Sequence, residues 1–462
     1  MARGIALLGI LFVNVRLYFW PLGVAIDPVI VPEGLWPTIS DRAAWSVAEF
    51  LCTYKFNSLF SILFGFALAL QVDQVIAAGG SIWKFGARRL SVLLLIGVTH
   101  GILIWYGDIL LLYSVLGIVV IACARVPAKW IGRAILAIAI ILVTITAISA
   151  PTRWATYAHP EWFGLPSIVD MHGVADMHGV EDMHGVADKH GVADMHGVAD
   201  KHGVADMHGV ADKHGAAGQS AAIAADAPRG YAAMVESNFD IGHPVWRDGE
   251  TAAYREGPFL DALLFRAVSY RYQHVVWLKG YGWHALTMML FGLYALRTGL
   301  FGAEASARRR RMGSIALAVG LPLSAIAVVP FWLPGVDHHT ASAWHAMGLE
   351  CGGLVLPIAY ATLLVEFVPR LSSIISTPLE SAGRMGVTLF VCESICCTAL
   401  ANWWGFGWFG TMLDLEVSAI AVAVWCVMLL FATVWLRVFK VGPLEELWQP
   451  RSRHPSVGSS AK

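Results

Sequence analysis

At positions 3–16 the chain reads RGIALLGILFVNVR, an apolar run that begins at Arg3 and is interrupted by Asn14 and Arg16. The length and apolar character of this run predict a membrane-embedded helix. A helix that only anchors a protein has no use for an amide and a guanidinium, because hydrocarbon offers polar groups no hydrogen-bond partner. We therefore predict that this helix faces a polar cavity inside a helical bundle. The alternative is that Asn14 only bonds to a neighbouring helix and holds the bundle together.

The composition of the whole chain also indicates a membrane protein. Of 462 residues, 57% are hydrophobic and only 14% are charged, and the mean hydropathy is +0.62, whereas soluble domains are about 25% charged. The formal net charge of −1 gives no indication of a nucleic-acid partner. The seven cysteines lie in or beside apolar runs without a CxxC pair, which is typical of apolar packing. We predict an all-α polytopic membrane protein with membrane lipids as its immediate partners.

Ten apolar runs approach the ~20 residues that a helix needs to cross a bilayer. Basic residues occupy every second connection between these runs, for example at 84–89 and 308–311. The positive-inside rule then predicts that both the N- and the C-terminus are cytoplasmic. The predicted spans are 4–22, 55–73, 90–106, 109–124, 130–149, 276–296, 312–332, 344–366, 385–403 and 417–439.

These spans divide the chain into four parts. Residues 1–150 form an N-terminal membrane bundle of five spans, and residues 276–440 form a C-terminal bundle of five more. Residues 151–275 between them are predicted to be one long extracytoplasmic insertion, and residues 441–462 a cytoplasmic tail.

The insertion carries a tandem hexad over residues 170–215, which begins as DMHGVA. Three interpretations are open: a His/Asp-rich metal-binding tract, a few coils of a hexapeptide β-helix, or an expanded repeat without fixed structure. The repeat has no aromatic residue and is rich in Gly, Ala and Asp, so we expect it to be disordered and expect no functional metal. Its histidines are His172, His178, His184, His190, His196, His202, His208 and His214.

Polar residues from several predicted spans lie at similar depths. Asn14 and His100 each follow an arginine at the predicted cytoplasmic edge by eleven residues, which places both about 16 Å into the bilayer. Glu393 lies about 13 Å from the same edge, and His284 lies in the middle of its span. One shared interior cavity would explain this agreement, although each residue taken singly could be a core contact.

His100 is the candidate for proton transfer, because the pKa of an unperturbed histidine lies near 6.5. Asp108 could orient His100 or meet a substrate at the outer mouth. Eight residues separate the two, which is about 12 Å along one helix, so direct contact requires the turn at 106–108 to fold back. We take His100, Asn14 and Asp108 as the candidate catalytic residues.

A second set of polar side chains is assigned to substrate binding. Glu350 and Glu393 are intramembrane carboxylates that could relay protons or pair with Arg16. The spans contain no metal-ligand spacing, phosphate loop or catalytic serine motif, so no metal is expected. The candidate substrate-binding residues are Arg3, Arg16, His284, Glu350, Arg384 and Glu393.

Several short motifs occur along the chain in a fixed order. They are RGIALLGI at 3–10, VN at 13–14, FSILFGF at 60–66, RRL at 88–90, Gly97, His100, GDIL at 107–110, GRM at 383–385, Thr388 and GPLE at 442–445. Through these motifs the chain resembles the YeiB-like bacterial inner-membrane proteins, the domain-of-unknown-function 418 family. The resemblance covers nearly the whole chain except the repeat-bearing insertion. Members usually carry several residues before the Arg-Gly pair, whereas only Met1 and Ala2 precede it here, which leaves the natural start open.

The first helix is more distantly similar to that of the transmembrane acyltransferases, the group that includes heparan-α-glucosaminide N-acetyltransferase and the bacterial acyltransferase-3 enzymes. In that group an Arg-Gly helix leads to an Asn or His near the acyl-transfer site. The resemblance implies that Arg3 lies near a cytoplasmic acyl-CoA donor and that Asn14 and His100 line the transfer path. Positions 15–37 contain no histidine, so His100 would have to supply the base.

Three functional hypotheses follow for a protein of the bacterial inner membrane. The first is an acyltransferase that moves an acyl group from cytoplasmic acyl-CoA to an unidentified extracytoplasmic acceptor. The second is a proton-coupled transporter of a small solute that uses Glu350 and Glu393; no convincing internal repeat supports it. The third is a non-catalytic membrane partner or sensor whose outer segment binds a ligand.

Overall fold

The computed structural model describes residues 1–26, 38–158 and 228–447. Every regular element in these ranges is helical. The α-helices are α1 Ala2–Phe19, α2 Leu22–Ile26, α3 Ile39–Leu51, α4 Lys55–Ala77, α5 Ile82–Leu103, α6 Leu110–Ala122, α7 Ala128–Ala158, α8 Gly230–Glu236, α9 Pro244–Arg255, α10 Phe259–Lys279, α11 Tyr281–Arg297, α12 Ser306–Ala325, α13 His338–Phe367, α14 Ser373–Arg384, α15 Gly386–Ala401 and α16 Asp414–Val438.

Six helical segments in the described ranges are long and apolar enough to cross a membrane. Helices α14 and α15 meet at 90° and would add a seventh span if they count as one broken span. The predicted all-helical fold is confirmed, and several apolar helices indicate a membrane protein. The count of ten spans and the cytoplasmic position of the termini stay predictions. The six segments are Ala2–Phe19, Ile39–Ala77, Ile82–Leu103, Ala128–Pro151, His338–Arg370 and Asp414–Val438.

The sixth and seventh predicted spans show why the count differs. The sixth, 276–296, is interrupted at Gly280, where α10 ends and α11 begins. The seventh corresponds to α12, whose first turns carry the run Arg308–Arg311 that lowers its average hydropathy. The break leaves α11 shorter than the predicted sixth span, and the arginine run makes α12 less apolar than a continuous membrane span.

Helix α11 lies at the centre of the bundle, because most of its residues are buried and it packs against α4, α7 and α10. Glycines on both α4 and α11 permit their close approach. A Cβ at Gly65 would lie 2.1 Å from the carbonyl oxygen of Met289, and one at Gly292 would lie 2.1 Å from that of Ile62. Such distances are incompatible with any side chain, so the two backbones are in direct contact.

Part of the predicted insertion folds onto the bundle. Helix α7 continues to Ala158, and α8, α9 and α10 occupy the chain from Gly230 onward. Trp246 of α9 packs edge-to-face on Phe265 of α10 with ring centroids 5.0 Å apart. Glu250 of α9 accepts a hydrogen bond from the backbone amide of Leu22 at 3.0 Å and so joins this segment to the start of α2. The hexad repeat at 170–215 lies outside the described residues.

Candidate active site

His100 and Asp108 form a buried hydrogen-bonded pair. The Nδ1 atom of His100 lies 3.1 Å from Oδ1 of Asp108, and 2% and 0% of the two residues' surfaces are exposed. Contact arises because α5 ends at Leu103 and the chain folds back before α6 begins at Leu110. Gly97 makes room for this return, since a Cβ there would lie 2.7 Å from Oδ2 of Asp108.

The second carboxylate oxygen of Asp108 fixes the pair to the start of α6. Its Oδ2 accepts a hydrogen bond from the amide of Leu111 at 2.9 Å, at the helix end where the dipole favours negative charge. A carboxylate in this position accepts the proton on Nδ1 of His100, which leaves the lone pair on Nε2. The Nε2 atom is buried and has no hydrogen-bond partner among the described residues. This is the arrangement that a general base requires.

Aromatic side chains enclose the pair and connect it to α1. The ring of Phe390 on α15 lies 5.0 Å from that of His100, and Trp105 stacks on Tyr18 of α1 at 4.0 Å. Tyr106 donates a hydrogen bond to the carbonyl oxygen of Leu17 at 3.0 Å. The returning loop is therefore attached to α1 about one helical turn from Asn14.

Helix α10 supplies two residues that the sequence analysis did not identify. Tyr270 packs so closely against Gly101 that a Cβ on this glycine would lie 2.0 Å from a ring carbon of Tyr270. The ring centroids of His274 and Tyr270 are 4.2 Å apart. Both interact electrostatically with Asp108. The Tyr270 hydroxyl and the His274 Nε2 are buried and have no partner among the described residues. Burial lowers the pKa of His274, and the Tyr270 carbonyl and Asp108 offset only part of this effect.

A cavity of about 260 Å³ is lined in part by α5 and α6, the two helices that bring His100 and Asp108 together. Leu93, seven residues before His100 on α5, and Leu110, two residues after Asp108, both line it. Phe60 and Phe64 of α4 extend the apolar wall. Part of the cavity lining is thus hydrophobic, and neither His100 nor Asp108 belongs to the lining.

The cavity is also lined by charged side chains, most of them basic. Its charged lining consists of the four cations Arg3, Arg89, Arg384 and Lys440 and the carboxylate of Glu445.

Glu445 is already occupied by the protein. Its Oε1 accepts hydrogen bonds from the amides of Val387 and Thr388, and its Oε2 accepts one from the Thr388 hydroxyl at 2.6 Å. The carboxylate thereby caps α15 where it turns away from α14. The cavity lining carries a net positive charge, which favours an anionic ligand.

The other sequence-predicted residues are distributed around this centre. Arg16 donates from Nε to Oδ1 of Asp414 at 2.6 Å, so its partner is neither of the two glutamates considered for it. Asn14 is half-buried on α1, and in the described ranges no hydrogen bond joins it to His100.

The two intramembrane glutamates have different surroundings. Glu350 bonds to His284 at 2.8 Å. Glu393 is buried on α15, the helix that also places Phe390 against His100, and its Oε1 has no partner within the described chain. The same ranges hold no group of three or more His, Cys, Asp or Glu side chains suited to a metal ion.

The fold and the site together define a class: an all-helical membrane protein with a buried histidine–carboxylate pair and a basic cavity. The family model described as "Protein of unknown function (DUF418)" matches residues 295–452. This range contains Arg384, Lys440 and Glu445 of the cavity but not His100 or Asp108.

Two curated relatives extend over nearly the whole chain. "Uncharacterized protein YeiB" of Escherichia coli (strain K12) is 24% identical over 100% of this chain and 97% of its own length. "Uncharacterized protein YxaH" of Bacillus subtilis (strain 168) is 23% identical over 97% of this chain and 91% of its own. No solved structure matches. The family match and these two relatives confirm the resemblance of the chain to the YeiB-like proteins of the DUF418 family.

Proposed function

We propose that the protein transfers an acyl group from a cytoplasmic acyl-CoA to a hydroxyl or amine acceptor on the opposite face of the bacterial inner membrane. The observation that carries this proposal is the basic, partly apolar cavity lined by residues of α5 and α6, the two helices that bring His100 and Asp108 together. The four cations suit the phosphates of CoA, and the apolar wall suits an acyl chain. The cavity volume is sufficient for part of such a donor rather than for all of it.

The proposed reaction is a direct acyl transfer. The acceptor oxygen or nitrogen attacks the thioester carbonyl carbon, a new C–O or C–N bond forms, and the C–S bond breaks. His100 takes the acceptor proton on Nε2 and returns it to the departing CoA sulfur. Asp108 orients the histidine, and Asn14 is the proposed donor to the developing oxyanion.

The proposal includes an orientation of the bundle. Ten spans with both termini in the cytoplasm would place Arg3, Arg384 and Lys440 at the cytoplasmic edge, where acyl-CoA is available. The acceptor would then reach His100 from the outer side, past Tyr270 and His274 of α10.

Release of CoA thiol tests the proposal. The full-length protein in lipid nanodiscs is incubated with acetyl-CoA and with longer acyl-CoAs, together with membrane extract as a source of acceptor. We expect turnover by the wild type and its loss in His100→Gln. His345→Gln is the matched control, because His345 is also buried but bonds to the Ala327 carbonyl outside the site. Absence of acyl-CoA binding and turnover by the wild type would reject the proposal.

A proton-coupled transporter of a small solute is the second candidate, favoured by buried Glu393 with its unpartnered Oε1. Proton flux into proteoliposomes under a pH gradient measures this activity. A flux that is lost in Glu393→Gln and retained in His100→Gln would support transport over acyl transfer.

A further inference from the structure

Four of the residues that line the basic cavity lie on one face of α4, because spacings of three and four residues bring side chains to the same side of a helix. The first, Phe60, and the last, Gln71, are eleven residues apart, which is about 16 Å along the helix axis. The cavity therefore follows α4 for about three turns. The four residues are Phe60, Phe64, Ala67 and Gln71.

The cavity is polar at the end near the connection between α4 and α5. The two helices form a hairpin joined by residues 78–81, so α5 runs back beside α4. Side-chain atoms of Leu68 and Leu90 both lie within 3.5 Å of the position that a Cβ would take on Gly117, which shows how the two helices are aligned. This alignment brings Arg89 to the level of Gln71. A cation and an amide side chain therefore lie together at this end of the lining.

Tyr113 of α6 reaches across to α4 at the other end of the cavity. Its hydroxyl oxygen lies 2.6 Å from Oγ of Ser61 and 3.2 Å from the carbonyl oxygen of Asn57. These two contacts fall on either side of Phe60 in the sequence. Within α4, all of which is described, no residue before Phe60 lines the cavity. The Tyr113 side chain thus bridges α6 and α4 where the α4 lining begins.

Three packed aromatic rings form this apolar end. The Phe60 ring lies 5.7 Å and the Phe64 ring 5.1 Å from that of Tyr113, between centroids. Only 1% of the Tyr113 surface is exposed. A ring that is enclosed by packed neighbours and bonded through its hydroxyl cannot turn aside without disturbing both helices. A ligand that extends from the basic end therefore meets a fixed apolar wall at Tyr113.

We propose that Tyr113 limits the length of the acyl chain that the cavity accepts, so that the donors are acyl-CoAs with short chains. This inference rests on the proposed function and adds to it which donors are used. The anionic part of the donor binds at the end that carries Arg89, and the acyl chain extends past Phe64 towards Tyr113. A chain that stops before the Tyr113 ring gains buried apolar surface. A longer chain must displace this ring, and such overpacking is unfavourable.

Equilibrium binding of acyl-CoAs of increasing chain length tests this limit. The full-length protein in nanodiscs is titrated with acetyl-, butyryl-, hexanoyl- and octanoyl-CoA, and empty nanodiscs correct for partition into lipid. We expect the wild-type affinity to rise by up to about fourfold for each CH₂ group that becomes buried, and to stop rising before octanoyl-CoA. In Tyr113→Ala the rise should continue to octanoyl-CoA. The same dependence on chain length in both proteins would overturn the proposal.

Tyr113→Phe separates the bulk of the ring from its hydrogen bonds. Phenylalanine keeps the ring, and Ser61 keeps a second partner in the Asn57 carbonyl oxygen at 2.9 Å, so we expect the wild-type dependence on chain length. Tyr360→Ala is the matched control for the alanine variant. The Tyr360 hydroxyl also donates to a backbone carbonyl, that of Leu51 at 3.1 Å, but Tyr360 does not line the cavity.

Ala67→Leu tests the limit in the opposite direction and leaves the Tyr113 packing intact. Ala67 lies between Phe64 and Gln71 on the lining face of α4, so a larger side chain there fills part of the path of the chain. We expect the affinity to stop rising at a shorter chain than in the wild type. An equal loss of affinity for all chain lengths, or no loss, would contradict the proposed path.

Release of CoA thiol by the same proteins distinguishes failure of this inference from failure of the proposed function. If Tyr113→Ala binds longer chains but the wild type releases no thiol, the length limit is supported and acyl transfer is rejected. If the wild type releases thiol and Tyr113→Ala has an unchanged dependence on chain length, acyl transfer is supported and the length limit is rejected. A wild type that binds no acyl-CoA would overturn both.

Discussion

The Asp108 carboxylate determines which ring nitrogen of His100 carries the proton. In Asp108→Asn the side-chain amide can donate to Nδ1, which moves the histidine proton to Nε2 and removes the base. We expect acyl-CoA turnover to fall by about 10²–10⁴-fold with little change in KM, the range that general-base catalysis contributes. Steady-state release of CoA thiol measures this loss. Asp73→Asn is the control, because Asp73 forms a partly exposed ion pair with Arg297 elsewhere; equal losses in both variants would contradict a specific role for Asp108.

Glu250 makes stability depend on pH. Burial raises the pKa of this carboxyl to about 7, and hydrogen bonds from Leu22 and Trp246 offset only part of that rise. The folded chain therefore binds this proton more tightly than the unfolded chain does. The resulting stabilisation is complete below the unfolded pKa and is lost as the pH rises through about 7. It amounts to about 3 kcal/mol at most.

Thermal unfolding of the purified protein below and above this range measures the effect. We expect the wild type to be more stable under acidic conditions, and Glu250→Gln to have a flatter dependence on pH. Glu256→Gln, in an exposed ion pair with Arg229 just after the same helix, is the control. A wild-type stability that rises with pH would contradict the assignment to Glu250.

Single residues also show how much of the site the sequence could predict. His100 and Asp108 could be predicted as a pair, because they are close in the chain and differ from their apolar neighbours. Tyr270 and His274 could not, because they belong to a segment that was assigned to an outer insertion. Tyr113 carries no signal of its own, since an aromatic residue in an apolar helix is common, and only packing of α6 against α4 brings it to the end of the cavity.

At the scale of helices, the contact between α4 and α11 holds Ser58 against His284. Because Gly65 and Gly292 face backbone carbonyls, Gly292→Ala should force the helices apart. We expect a loss of about 1–3 kcal/mol in stability, the usual effect of overpacking. Thermal unfolding of the purified protein measures this loss. Gly386→Ala is the control, since a Cβ there has nothing within 4 Å.

Hydropathy predicts the bounds of a membrane helix well where the helix is continuous, but it does not detect a break between two apolar helices. The predicted first, second and tenth spans correspond to α1, α4 and α16 with shifts of a few residues at most ends. The predicted sixth span combines the end of α10 with α11, because apolar residues continue on both sides of Gly280. Hydropathy averages over such a break, whereas the break itself is a matter of local backbone geometry and packing.

At the scale of the whole molecule, the charge distribution of the loops and the basic cavity lead to one topology. The cations of the cavity and the arginine run at 308–311 all belong to the face predicted to be cytoplasmic. An even number of spans, five of them before the hexad repeat, would place both termini on that face and the repeat on the other. Six or seven apolar segments are found in the described ranges. Whether the total number of spans is even therefore depends on how many of the helices α6, α11 and α12 also cross the membrane.

Reporter fusions in bacteria measure this topology. We expect a fluorescent protein fused after residue 462 to fold and fluoresce, and alkaline phosphatase fused within 170–215 to be active. A fusion of each reporter after Arg125 and after Arg310 provides internal controls, because both positions lie in basic connections predicted to be cytoplasmic. If phosphatase were active after residue 462, both ends of the chain would be extracytoplasmic, because Arg3 and Lys440 line the same cavity. The donor cavity and the C-terminal tail would then face the side without acyl-CoA, and the acyltransferase proposal would have to be abandoned.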